Sequence, residues 1–230
     1  MFNADTITSA ELAGIIDHTF LKAFGDAKPI EKLCAEAREY GFAMVAINPA
    51  EVERCVKLLA GTKVRAGAAI SFPLGQMTSA AKSFEIRDAI AKGEGEIDMV
   101  QNLRALQEGN YNLVFDELAD MAEQCRKAGV ISKVILETCY LTDEEKVKTC
   151  ELAVKAGLDF VKTSTGFGAA GATAADIALM RQTVGPDMGV KAAGGIRDLA
   201  AAFDMIRAGA TRIGTSAGVK IVDELRAMGR

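Results

Sequence analysis

A single (β/α)8 barrel is the fold class that this sequence predicts, and three observations predict it. Strand-like and helix-like segments alternate about eight times, roughly 25–30 residues apart. The strand segments are near-continuous apolar runs, as expected when both faces are buried. The connections are short, and no Ser/Gly-rich linker divides the chain. A doubly wound open sheet is the rival arrangement. Eight units within 230 residues favour the compact closed form, one domain over 1–230 with a short N-terminal helix.

Ser9-Ala10-Glu11-Leu12 opens that helix, with Ser9 as N-cap. Ile15 to Leu21 is an apolar strand that turns polar at its end. Pro29 starts a helix that Gly41 stops after Tyr40. Phe42 to Ile47 is the second strand, and Asn48-Pro49 leads into a helix reaching about Ala60. Val64 to Ile70 is the third strand, and Thr78 opens a helix ending near Lys92-Gly93. Glu96 to Val100 is the fourth, with Asp98 inside it, followed by a helix from Asn112 to Ala128. Lys133 to Thr138 is the fifth. Thr142 and Glu145 then form a capping box before a helix ending at Ala156-Gly157. Asp159 to Lys162 is the sixth strand, and its helix spans Thr173 to Val184. Gly189 to Ala192 and Arg212 to Gly214 are the last two, followed by helices from Asp198 and Ser216.

Composition narrows the function. Half the residues are hydrophobic, a quarter are charged, and the net charge is −4. That argues against a nucleic-acid binder. No apolar run approaches a membrane span. Met1 to Thr6 lacks the basic and apolar regions of a signal peptide, so the cytoplasm is expected. The five cysteines form no CxxC pair, and Cys34, Cys55, Cys125 and Cys150 read as helix packing residues. Cys139 follows an apolar strand and reads the same way. His18 is the only histidine. Histidine-rich zinc sites are therefore disfavoured, and no G-x-S-x-G elbow exists to serve a serine triad. His18 itself reads as structural.

A barrel gathers its C-terminal strand ends at one mouth. The polar ends are Asp17/Thr19, Asn48, Ser71, Asp98/Asn102, Glu137, Lys162/Thr163, Lys191 and Gly214. Lys162 and Lys191 end successive units. Two amines in one desolvated mouth cannot both stay charged cheaply, so one is expected neutral near pH 7 and nucleophilic. Asp98, alone on an apolar strand, needs a cation, and a lysine ammonium is the natural partner. An amine nucleophile with a carboxylate/ammonium proton relay suits imine and enamine chemistry. Each residue alone has a structural reading, as a snorkelling lysine or a buried ion pair. Their joint occurrence favours chemistry. Gly194-Gly195 and Gly214 lie in the turns after the last two strands, where barrels often bind phosphate. Ser216 is either a hydroxyl donor there or a helix N-cap, and Arg197 either a phosphate contact or a solvent-facing residue. Asp17 and Thr19 share one face of their strand and are expected to reach a sugar hydroxyl.

These residues resemble those of the deoxyribose-phosphate aldolases, a class I aldolase family. The resemblance rests on Asp17-His18-Thr19-Phe20-Leu21-Lys22, Phe72-Pro73-Leu74-Gly75, Glu96 to Val100, Glu137 to Thr142, Phe160 to Gly168, Lys191 to Arg197 and Arg212 to Ser216. It implies a barrel without metal or other cofactor. It also implies reversible cleavage of 2-deoxy-D-ribose 5-phosphate to acetaldehyde and D-glyceraldehyde 3-phosphate. By motif, Lys162 would be the Schiff-base lysine, Lys191 the lysine that depresses its pKa, and Asp98 the proton relay. Asp17, Thr19 and Thr163 would lie against the substrate. Gly166, Gly194, Gly195, Gly214 and Ser216 would help hold phosphate. Small-molecule partners are implied, with no nucleic acid or membrane; a homodimer is suggested by family analogy alone.

The chain departs from the family pattern at Ala46, where many relatives carry cysteine, and at Ser71, where glycine is usual. Ala193 and Ala217 replace serines, and Gln101 to Arg104 is an unusual run. None removes a catalytic group, but they bear on phosphate affinity and substrate range. Two other readings stay open: an imine-forming aldolase for a related phosphorylated sugar, and a non-catalytic sugar-phosphate binding protein.

Overall fold

A computed structural model describes residues 2–230. Met1, the first residue of the segment read above for an export signal, lies outside them. Eight parallel strands close into a barrel in chain order. They are β1 (Ile16–Thr19), β2 (Met44–Ile47), β3 (Arg65–Ile70), β4 (Glu96–Val100), β5 (Ile131–Ile135), β6 (Phe160–Lys162), β7 (Gly189–Ala193) and β8 (Arg212–Thr215). β8 pairs with β1, Asp17 opposite Gly214, so no strand edge remains open. The open-sheet rival is thereby excluded.

Among the described residues ten α-helices accompany the barrel: α1 (Ser9–Ala13), α2 (Lys28–Tyr40), α3 (Val52–Leu58), α4 (Ser79–Ala91), α5 (Leu103–Gln107), α6 (Tyr111–Ala128), α7 (Asp143–Ala156), α8 (Ala174–Val184), α9 (Leu199–Arg207) and α10 (Gly218–Ala227). Their boundaries follow local chemistry. Thr78, Thr142, Thr173 and Asp198 cap α4, α7, α8 and α9 through their side chains, and Glu145 completes the box on α7. Gly41, Gly129 and Gly157 end α2, α6 and α7 in the left-handed conformation.

Several boundaries differ from expectation. The cap of α1 is Thr8, not Ser9, because Thr8 and Glu11 form the reciprocal box. α5 is an extra turn capped by Asn102. Ser216 does not cap α10, since Ala217 holds that position. β5 starts earlier and ends sooner than expected, which leaves Glu137 beyond the strand with φ +56°.

The apolar core lies mainly between strands and helices. Val45, Ile47, Ile70, Ile97, Met99, Val134, Val161, Val190 and Ile213 are fully buried there with Leu33, Leu118, Met180 and Ile221 of the helices. Burying such side chains contributes about 1.5–3 kcal/mol each and drives closure. The barrel interior is different. Alternate strand residues point inward, and many of them are charged.

Candidate active site

The interior charges form one connected network. Asp98 on β4 is its hub. Lys162 Nζ and Lys191 Nζ both donate to Asp98 Oδ2, at 2.8 and 2.7 Å, and Lys133 Nζ donates to Oδ1 at 2.9 Å. Lys133 also donates to Glu96. Arg212 donates to Asp17 Oδ1 at 2.7 Å and reaches Glu96 at 3.3 Å. Lys191 Nζ lies 2.5 Å from Asp17 Oδ2, an ionic contact outside hydrogen-bond alignment. The contacts of Asp98 with Lys162 and Lys191, and of Glu96 with Arg212, join strands that are not neighbours, so these side chains meet across the barrel interior.

Three buried carboxylates (Asp17, Glu96, Asp98) thus face four buried cations (Lys133, Lys162, Lys191, Arg212). The set is neutral when one cation gives up its proton. Burial selects Lys162. Desolvation lowers its pKa, Asp98 opposes the shift, and Lys191 reinforces it, leaving the amine at about 8. That is short of the neutral amine expected at pH 7, because the same Asp98 that serves the lysine also holds its proton. Burial would raise Asp98, but Lys133, Lys162 and Lys191 overcome it and hold the carboxyl well below its usual range. Burial likewise works against charge on Lys133, yet Asp98, Glu96 and Asp17 keep its ammonium more basic than usual. Half-exposed Arg65 lies 3.2 Å from Glu96 at the far rim, where water screens it.

Above the network opens a cavity of about 430 Å3. Its walls include Thr19, Lys162, Gly166, Lys191, Gly194, Gly195, Gly214 and Ser216, together with Thr165, Phe167, Arg197 and Lys22. Asp98 lies directly beneath. Gly194 and Gly195 have φ of +86° and +82°, conformations natural to glycine. Among the described residues their amides donate to no backbone or side-chain acceptor. A Cβ on Gly214 would stand 3.0 Å from Lys191 Cε, so the glycine leaves the lysine its path. The exposed Phe167 ring packs edge-on against Phe72 at 5.3 Å and forms a lip of the mouth. A neighbouring cavity of about 520 Å3 between β1 and α2 shares Thr19, Phe20 and Ser216. Its lining holds no buried lysine, whereas Lys162 and Lys191 line the smaller one.

Two expected site residues lie elsewhere. Asp17 is fully buried below the cavity floor, spent on Arg212 and Lys191 rather than aimed at a sugar hydroxyl. Thr163 follows Lys162 and points to the opposite face, where its hydroxyl donates to Ala193 O and accepts from Ala193 N, both at 3.1 Å. Ser216 is exposed at the rim. His18 packs against Phe42, with Nε2 2.8 Å from Glu36, as a structural histidine would. Sequence reasoning missed Lys133, Glu96 and Arg212. For Lys133 the signal was the one used for Asp98, a charge inside an apolar run on the inward phase of its strand; Glu96 and Arg212 head their strands and carry no such signal.

A buried lysine of lowered pKa, with a shared carboxylate at a barrel mouth, is the arrangement of imine-forming barrel enzymes. The DeoC/LacD family aldolase model matches residues 12–224, and the chain belongs to that family. It is 68% identical to the deoxyribose-phosphate aldolase of Bacteroides thetaiotaomicron over 93% of this chain and 90% of that protein. Identity to the Lysinibacillus sphaericus deoxyribose-phosphate aldolase is 56%, over 93% and 95%. Among solved structures, the tetrameric deoxyribose phosphate aldolase of Aeropyrum pernix superposes with a TM-score of 0.89 at 30% identity, covering 96% of this chain and 93% of that one.

Proposed function

We propose that this chain, as one barrel domain over 1–230, is a deoxyribose-phosphate aldolase that works through a Schiff base on Lys162. The observation that carries the reading is the shared oxygen, with Lys162 and Lys191 both on Asp98 Oδ2 under a glycine-lined cavity. The neutral Lys162 amine adds to the C1 aldehyde of the open-chain sugar, and loss of water leaves a protonated imine. A proton leaves the C3 hydroxyl, the C2–C3 electron pair moves into the imine, and glyceraldehyde 3-phosphate departs. The remaining enamine takes a proton at C2, and water releases acetaldehyde and the lysine. Asp98 and Lys191 carry these protons. Backbone amides of Gly194 and Gly195, with Arg197 and Ser216, face the phosphate end.

The sequence relatives bear the same activity in their names, which supports the substrate assignment. A homo-oligomer belongs to the reading, with the tetramer of the Aeropyrum pernix protein as the precedent. Treatment with acetaldehyde and borohydride, then peptide mass mapping, tests the chemistry. An N-ethyl group on Lys162 is expected, together with cleavage of 2-deoxyribose 5-phosphate. A folded protein with no adduct overturns the mechanism, and an adduct on Lys191 alone reverses the roles.

A further inference from the structure

Glu137 is buried, belongs to no ion pair among the described residues, and takes no part in the proposed proton relay. Its backbone is left-handed (φ +56°, ψ +61°), a conformation that non-glycine residues hold only when their surroundings impose it. The imposed contacts are specific. On either side, Leu136 N donates to Lys162 O at 2.9 Å and Thr138 N to Thr163 O at 3.0 Å. The side chain then reaches the loop beyond β6. Oε1 accepts the Thr165 amide at 3.1 Å, and Oε2 accepts the Thr165 hydroxyl. That hydroxyl accepts in turn from the Phe167 amide at 3.0 Å. Gly168 packs so closely that a Cβ there would stand 3.1 Å from Glu137 Cδ and 2.9 Å from Cys139 Sγ.

The strapped residues Thr165, Gly166 and Phe167 are one wall of the cavity. Gly166, between the two tethered amides, has φ +86°, and its own amide donates to no acceptor among the described residues. We infer that Glu137 is a positioning residue for the anionic end of the substrate. Its carboxylate engages the Thr165 amide and hydroxyl and the Phe167 amide is held through that hydroxyl, so the Gly166 amide is left to an outside anion. A carboxylate near a phosphate repels it unless its charge is already engaged; here both oxygens are occupied, and the side chain is buried.

The proposal rests on the aldolase reading for its substrate, but its first test does not. Inorganic phosphate is titrated calorimetrically into the wild type, Glu137→Gln and Glu137→Gly. Glutamine keeps the size but presents its amide nitrogen to one of the two Thr165 donors. Glycine suits the left-handed backbone, so a folded protein without the strap is available. Phosphate affinity is expected to fall about tenfold in both, the size of one lost charge-assisted hydrogen bond. KM for 2-deoxyribose 5-phosphate should rise in step, while borohydride trapping of acetaldehyde, which carries no phosphate, stays unchanged. Unchanged phosphate affinity in both variants overturns the inference. So does a loss of acetaldehyde trapping equal to the loss of phosphate binding, which marks a merely structural residue. If the wild type fails to trap acetaldehyde, the aldolase reading falls, and the phosphate titration still decides this one.

Discussion

Lys162 and Lys191 stand opposite each other in the β6–β7 register and share one carboxylate oxygen, Asp98 Oδ2. The first prediction follows from their coupling. The Lys162 amine has a pKa of about 8 against an ordinary 10.5. Imine formation needs the neutral form, so the rate of acetaldehyde trapping should rise with pH through about 8 and level off above it. The linkage to stability has a definite sign. Between about 8 and 10.5 the unfolded chain holds this proton and the fold does not, so the fold gains stability as pH rises through that window. Below 8 the buried ammonium costs on the order of 3 kcal/mol. Lys162→Met should therefore abolish turnover yet raise the thermal midpoint at pH 7, with the gain vanishing above pH 10.5.

Asp98 and Lys191 move the Lys162 pKa in opposite directions, which separates their roles. Asp98 raises it and Lys191 lowers it. Asp98→Asn should shift the trapping profile to lower pH while turnover falls, by roughly 10²–10⁴ as for a lost general acid–base group. Lys191→Met should shift the profile to higher pH. Single-turnover trapping across pH 6–10 reads both. Shifts in the same direction would contradict the arrangement.

Much of this was legible in the sequence because the barrel rests on coarse signals. Apolar runs broken by short polar ends announce βα units, and Lys162, Lys191 and Asp98 interrupt such runs where a charge needs a reason. Thr163 and Lys133 show where reading stopped short. The period of two that turns Lys162 inward turns Thr163 outward, and it puts Lys133 beside Asp98 in the β4–β5 register. Glu96 and Arg212 begin their strands, a position that usually faces water, and only the closed barrel reveals that they meet. Glu137 was visible as a polar strand end. Its left-handed backbone depends on tertiary contacts that no local pattern encodes.

Lys133 tests whether the network stabilises the fold. It is fully buried and bonds both Glu96 and Asp98. Lys133→Met removes one cation and leaves two carboxylates short of a partner. A loss of about 3–5 kcal/mol is expected in urea unfolding. Adding Glu96→Gln should recover part of it, because it removes one stranded charge. Strict additivity of the two losses would show that the pair does not interact.

Glu94 precedes β4, and both its carboxyl oxygens are buried without a hydrogen-bond partner among the described residues. Burial, with Asp98 adding to it, raises its pKa well above the usual range. A raised carboxyl contributes no penalty while it stays protonated, and the fold loses stability as pH climbs past the unfolded value toward the folded one. Glu94→Gln should flatten the decline of the thermal midpoint as pH rises above about 4.5 and leave the range below it alone. An unchanged slope would mean that Glu94 finds a partner on ionising.

Gly214 offers the most selective probe of the mouth. A Cβ there meets Ala193 Cβ and Lys191 Cε, each at 3.0 Å, on the two side chains that line the adjacent strand. Ala193 is buried and cannot retreat, whereas the Lys191 stem is flexible. Gly214→Ala should therefore displace Lys191 from Asp98 by a few tenths of an ångström rather than unfold the barrel, since its φ falls outside the left-handed range. Lys191 lowers the Lys162 pKa, so its retreat should move the trapping profile to higher pH, as in Lys191→Met but by less. Turnover should fall with little change in KM, because the amides of Gly194 and Gly195, proposed to face the phosphate, are not touched. A variant that raised KM alone would place Gly214 with the anion and not with the lysine.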